Sequence, residues 1–253
     1  MSDDRPDTSG DLAIRDPPRV LVPVEVLEGQ TIPQTLVEFL APAELVLLGY
    51  HVIPEQTPTE QASMQFEERA RAAVDDIAAA VGDAHTDVET RVAFTHDEDR
   101  TIDRVADEVD ATAVLLPNPA GDISEILVPL RGIVDVGRLA DLVATLVDGD
   151  DKRVTLWDLT VDESTALLDQ SERTLRDRGL TDEQIRTESD DVEFPTRAIV
   201  DRTDEFDIVV MGEGKQTLLT TVLGDTSERI AEGAVAPVLV VRRDRSEDGE
   251  TDG

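Results

Sequence analysis

The chain has 253 residues, 57 acidic and 23 basic side chains and a formal charge of −34, so no basic stripe exists to bind nucleic acid by counterion release. It has no cysteine, which excludes a disulfide framework, thiol catalysis and thiolate metal sites. No apolar run reaches the ~20 residues of a membrane helix and MSDDRPDTSGD lacks the basic and apolar regions of a secretion signal, so a cytoplasmic protein without membrane insertion is expected.

The acidic excess does not imply disorder, because 40% of the residues are apolar and they recur with regular periods. Lys152 and Lys215 are the only lysines. A carboxylate-rich, lysine-poor surface suits molar salt, where the Debye length is ~3 Å and self-repulsion is screened. A haloarchaeal setting is expected on that composition.

In chain order, residues 1–17 form a polar tail without periodicity, expected as disordered. A strand follows at Arg19-Val20-Leu21-Val22-Pro23-Val24-Glu25, then a helix over Ile32–Leu40 and a second strand over Glu44–Tyr50. Glu60–Val81 reads as a long amphipathic helix, with Phe66, Ala70, Ala73, Val74, Ile77 and Val81 on one face. A strand over Val88–Phe94, a helix over Thr101–Val109 and a strand over Ala111–Leu116 complete this half.

The pattern then repeats. Glu125-Ile126-Leu127-Val128-Pro129-Leu130-Arg131 matches the first strand, and a helix over Val134–Val147 and a strand over Arg153–Leu159 follow. A helix over Glu163–Arg178 closes at Gly179 as its C′ residue. Next come a strand near Ile185–Glu188, a helix over Thr196–Thr203 and a strand over Asp207–Met211. This copy continues through a glycine loop (Gly212, Gly214), a helix opened by Gly224-Asp225-Thr226-Ser227-Glu228, and a last strand over Val238–Val241. Residues 244–253 form an acidic tail, also expected as disordered.

Alternating strands and helices imply an α/β fold with parallel sheets covered on both faces. The expected division is a tail at 1–17, a truncated domain at 18–120, a full domain at 121–243 and a tail at 244–253. Only Pro117–Ser124 separates the halves, too few residues for a parallel crossover helix. The first half therefore lacks its last αβ unit and leaves its fourth strand as an edge. Pro237–Val241 is the expected cover, which makes the halves an intrachain pseudo-dimer; the alternative is a homodimer through the same strand. Two open sheets are expected, so one continuous sheet would contradict this division.

The paired (V/I)LVP strands, AELVLLGYHV and above all DIVVMG…LGDTSERIAEGAVAPVLVV resemble the universal stress protein family over residues 19–243. The resemblance implies tandem, haloarchaeal-type domains of the adenine nucleotide alpha hydrolase-like fold, with strand order 3-2-1-4-5 and association through the fifth strand. In many members it also implies ATP held by an acidic residue ending the first strand and by a loop patterned G-x-x-G-x9-G-S/T. Gly214 and Gly224 keep the nine-residue spacing, but the leading glycine is Gly212, one residue closer, and Asp225 stands in place of Ser or Thr. The first strands end in Glu25 and Arg131 rather than aspartate, and Leu116-Pro117-Asn118-Pro119 replaces any phosphate loop in the first half.

The candidate ligand residues are accordingly Gly212, Gly214, Lys215, Gly224, Asp225, Thr226, Ser227 and Arg131, for ATP or another adenine nucleotide. Backbone N–H groups at a helix start attract anions. Against this, Asp225-x-x-Glu228 fits a capping box whose carboxylate satisfies those N–H groups itself. Arg131 can hold an anionic ligand or pair with a carboxylate such as Asp158. Trp157 and Tyr50, on matching strands, read as core residues. His51, His85 and His96 show no metal-ligand spacing and read as solvent-exposed. No nucleophile, base and oxyanion donor converge in one loop, so no catalytic residue is assigned. The expected function is a universal-stress-type binding or regulatory module. An association module with a decayed site and a weak ATP hydrolase are the alternatives.

Overall fold

The computed structural model describes residues 17–82, 88–131, 135–147, 149, 151–159, 165–213 and 234–243. The first half runs through β1 (Arg19–Glu25), α1 (Gln34–Leu40), β2 (Glu44–Val52), α2 (Thr59–Gly82), β3 (Val88–Thr95), α3 (Glu98–Glu108) and β4 (Ala113–Leu116). The second runs through β5 (Glu125–Leu130), α4 (Val136–Leu146), β6 (Arg153–Asp158), α5 (Thr165–Asp177), β7 (Ile185–Ser189), α6 (Pro195–Arg202), β8 (Ile208–Gly212) and β9 (Val238–Val241). Local chemistry sets several ends. Asp97 and Asp135 cap α3 and α4 by accepting from the N–H groups of Arg100 and Arg138. Gly179 takes φ +104° just beyond α5, as its C′ reading expects.

Among the described residues the nine strands form one sheet, in the order β3-β2-β1-β4-β9-β8-β5-β6-β7. The expectation of two separate open sheets is thereby corrected. The order 3-2-1-4-5 is present in the second half as β7-β6-β5-β8-β9, and the first half supplies 3-2-1-4. What fuses them is β9, parallel to β8 on one side and antiparallel to β4 on the other. Of the two partnerships expected for Pro237–Val241, the fold uses the intrachain one. Both edges of β9 are occupied, so it has none left for a second chain.

Strand direction reverses at the β4–β9 pair, and this explains how the first half dispenses with its fifth strand. The residues between β4 and β5, Pro117–Ser124, contain no helix. Because β5 runs opposite to β4, both ends to be joined lie on the same side of the sheet, and no crossover is required. The start of β5 is pinned by Asp207, whose Oδ2 accepts from the N–H groups of Ser124 and Glu125 at 2.8 Å each and from the Ser124 hydroxyl at 3.2 Å.

Side chains alternate between two cores, each continuous across both halves. Val20, Val22 and Val24 of β1 and Leu239 and Val241 of β9 pack beneath α1, α2, α4 and α5. Leu21 of β1 and Val238 and Val240 of β9 pack on the other face with α3 and α6. The strands are buried on both faces, which is why they read as unbroken apolar runs. Burying each such side chain is worth about 1.5–3 kcal/mol. Gly49 of β2 lets α2 approach closely: a Cβ there would lie 2.1 Å from a methyl of Val74 and 2.8 Å from one of Val26. Buried Arg242, just after β9, pairs with Asp107 of α3 at 2.6 Å and ties the last strand to the first half.

Candidate functional site

In the second half the central strands β5 and β8 lie side by side, with Ile126 opposite Ile208 and Leu127 opposite Val209. Their last residues are Leu130 and Gly212. From there the chain leads to strands on opposite sides, β6 and β9, which opens a crevice at the carboxyl ends of the strands. Exposed Arg131 follows β5 and half-buried Gly212 ends β8, so the fold brings these two candidate residues to one edge. Gly214, Lys215, Gly224, Asp225, Thr226 and Ser227, and with them the expected capping box, lie outside the described residues.

The end of β9 contributes to the same edge. The backbone N–H of Glu213 donates to the Val241 carbonyl at 2.8 Å. Arg243 donates through its backbone to the Glu213 carboxylate at 3.2 Å and through its guanidinium to the Glu213 carbonyl at 3.3 Å. The Nε atoms of Arg242 and Arg243 are buried without a hydrogen-bond partner. So is Nε of Arg138 near the start of α4, although its Nη2 donates to the Ala111 carbonyl at 3.1 Å. Sequence reasoning passed over these arginines. The adjacent pair after VLVV was visible, but nothing local showed that β8 ends beside it.

The equivalent crevice of the first half, between β1 and β4, lies at the opposite edge of the sheet. It is an open cleft of about 330 Å³ lined by Val24, Gln30, Ile32, Pro33, Pro117 and Pro119. The Asn118 side chain there donates to the Ala236 carbonyl at 3.1 Å, which ties the loop to the approach to β9. Charge near this cleft is acidic. Glu25 lies 3.7 Å from Nδ1 of His51, and the Tyr50 hydroxyl donates to Glu98 at 3.0 Å. Burial, then the Glu98 carboxylate, holds the Tyr50 phenol well above its ordinary value of 10.0, with Glu25 adding to the effect. Burial and the neighbouring Glu98, Asp97 and Asp103 raise the Asp99 carboxyl as well.

The exposed reading of His51 is corrected. It is half-buried, edge-on to Phe66 and Phe94 at centroid distances of 6.2 and 6.4 Å, because it turns toward α2 rather than outward. His96 is exposed, and His85 lies outside the described residues. Tyr50 and Trp157 are core residues, 6% and 2% exposed. The Trp157 indole donates to Asp190 at 2.8 Å and carries the Arg202 guanidinium 4.5 Å from its ring centre.

The model of the universal stress protein family matches residues 123–242, the stretch that contains this crevice and the strand shared by both halves. The solved structure of a universal stress protein from Archaeoglobus fulgidus DSM 4304 is similar over 90% of this chain and 97% of its own, with 16% identity and a TM-score of 0.61. That likeness shows a shared fold across both halves. A functionally unknown protein from Pseudomonas aeruginosa PAO1 is similar over 90% of this chain and 93% of its own, at 17% identity and a TM-score of 0.45. A universal stress protein solved in complex with cAMP matches over 50% of this chain and 100% of its own, at 21% identity and a TM-score of 0.41. No curated protein matches the chain. Among the described residues no helix is long and apolar enough to cross a membrane, and no group of three or more His, Asp or Glu is placed to hold a metal.

Proposed function

We propose that this chain is a two-half universal-stress module that binds an adenine nucleotide, ATP or a relative, in the crevice between β5 and β8. The Gly212–Ser227 loop cradles the phosphates and Arg131 offsets their charge. The observation that carries this reading is the contrast between the two crevices. In the second, Arg131 follows β5 and Arg243 follows β9, where it donates to Glu213, whereas the first has Glu25 beside it and no basic residue among the described residues of its lining. An anion is favoured at the former and repelled at the latter. The family match over residues 123–242 supports the same half. The first half then serves as a scaffold that covers the free edge of β9.

The setting is a cytoplasm at molar salt, and the test belongs in molar KCl, because a chain of charge −34 repels ATP when unscreened. Mg-ATP at a hundredfold excess over Kd stabilises the fold by ~2.7 kcal/mol, read as a rise in Tm. Gly224→Val and Arg131→Glu abolish that rise. No shift with ATP, ADP or AMP overturns the reading and leaves an association module. Slow phosphate release that vanishes in Gly224→Val would instead establish an ATP hydrolase.

A further inference from the structure

Among the described residues, the covering of β9 leaves β3 and β7 as the ends of the sheet. An open edge strand presents a row of unpaired N–H and C=O groups, and proteins normally blunt it with proline, bulges, brevity or charged side chains. Of these, β3 has only the charges of Glu89 and Arg91. All eight residues, VETRVAFT, pair in unbroken register with β2, and the strand has neither proline nor glycine. Its outer residues Glu89 and Arg91 are exposed and form an ion pair with each other along the strand.

That spacing has a consequence under two-fold symmetry. When two copies of β3 run antiparallel about an axis through Thr90, Glu89 faces Arg91 of the second copy and Arg91 faces its Glu89. Thr90 faces Thr90, and Val88 faces Val92. Two in-strand ion pairs thereby become a square of four alternating charges, and opposite charges directly across an antiparallel pair attract. Beside this edge an open groove of about 500 Å³ runs between α2 and β3, bordered by Ser63, Glu67, Arg71, Asp75, Thr90 and Phe94. It has room for the side chains that a second β3 turns toward α2. At the other end of the sheet, β7 carries a similar and equally exposed Arg186-Thr187-Glu188 pattern, but its charges pair with other elements rather than with each other. Arg186 lies 3.8 Å from Glu125, and Glu188 is 2.7 Å from Arg202.

We propose that two copies of this chain associate through β3, antiparallel and centred on Thr90, joining their sheets edge to edge. The occupant is a second copy because the charge pattern is its own complement about that axis. A two-fold contact also closes on itself, leaving no repeating interface. Molar salt removes the long-range repulsion between two chains of charge −34, while groups in direct contact still attract.

The absence of cysteine makes the test direct, since Thr90→Cys introduces a lone thiol at a surface strand. Directly opposed residues lie about 4.5–5.5 Å apart at Cα, within disulfide range. Mild oxidation of Thr90→Cys in molar KCl is expected to give a covalent dimer. Glu89→Cys alone gives none, but mixed with Arg91→Cys it gives the cross-linked pair. In sedimentation the unmodified chain is a concentration-dependent dimer. Arg91→Glu raises its dissociation constant about tenfold, and adding Glu89→Arg restores it; circular dichroism checks that each variant is folded. A chain that sediments as a monomer at every concentration overturns the proposal. So does Thr90→Cys that stays monomeric, or Thr187→Cys that cross-links as readily.

Discussion

Val114 of β4 and Val240 of β9 face each other across an antiparallel pair, although they lie 126 positions apart in the chain. Each is fully buried, and both point into the core beneath α3 and α6. On its other side β9 runs parallel to β8, with Met211 beside Val240. A single four-residue strand therefore completes the second half and closes the first.

The pin at the head of β5 gives one expectation. Asp207→Ala removes three hydrogen bonds to Ser124 and Glu125 and leaves two backbone N–H groups to find water. Its cost is about 2 kcal/mol, read as a lower denaturation midpoint with unchanged slope. An unaltered midpoint would mean that the link between the halves is held elsewhere.

Gly49 gives a second. Gly49→Ala drives a methyl against Val74 and Val26, at 2.1 and 2.8 Å before relaxation, and destabilises by about 1–3 kcal/mol through overpacking. Because Val74 is the nearer obstacle, adding Val74→Ala recovers part of that loss. A double mutant whose loss equals the sum of the single ones would contradict direct contact.

Tyr50 provides a pH-dependent expectation. Its folded pKa lies above the unfolded value near 10.0, so the fold favours the neutral phenol. That contribution is fully present below pH ~10 and is lost as pH rises from there toward the folded pKa. Tyr50 is the only tyrosine in the chain, so phenolate absorbance reports it alone. No phenolate is expected until above pH ~11 unless the protein unfolds. Ionisation centred near pH ~10 in folded protein would contradict its burial.

Much of this architecture is legible in the sequence because strands buried on both faces produce short, dense apolar runs such as LVPV, ILVP and DIVV, and their spacing repeats. The β4–β9 pairing follows from counting: eight residues, Pro117–Ser124, cannot return a parallel strand. What one chain of letters does not carry is direction. Nothing in VLVV says that it serves β4 antiparallel and β8 parallel at once, so the merging of two sheets into one was missed. The reversal also sends the crevice near Glu25 and the crevice near Arg131 to opposite edges. Long-range polar partners were likewise hidden. His51 meets Glu25, and Asp207 meets Ser124, through the register of neighbouring strands rather than through spacing. Gly49, inside an apolar strand, signals a close approach, but only the path of α2 identifies Val74 as its neighbour.

The shared use of β9 is tested most directly by hydrogen exchange in a chain lacking Ala236–Gly253. The backbone amides of Ala113–Leu116 in β4 are expected to lose protection together with those of Ile208–Gly212 in β8, since both strands lose the same neighbour. Protection retained in β4 at its full-length level, with β8 alone exposed, would show that the first half stands without the last strand.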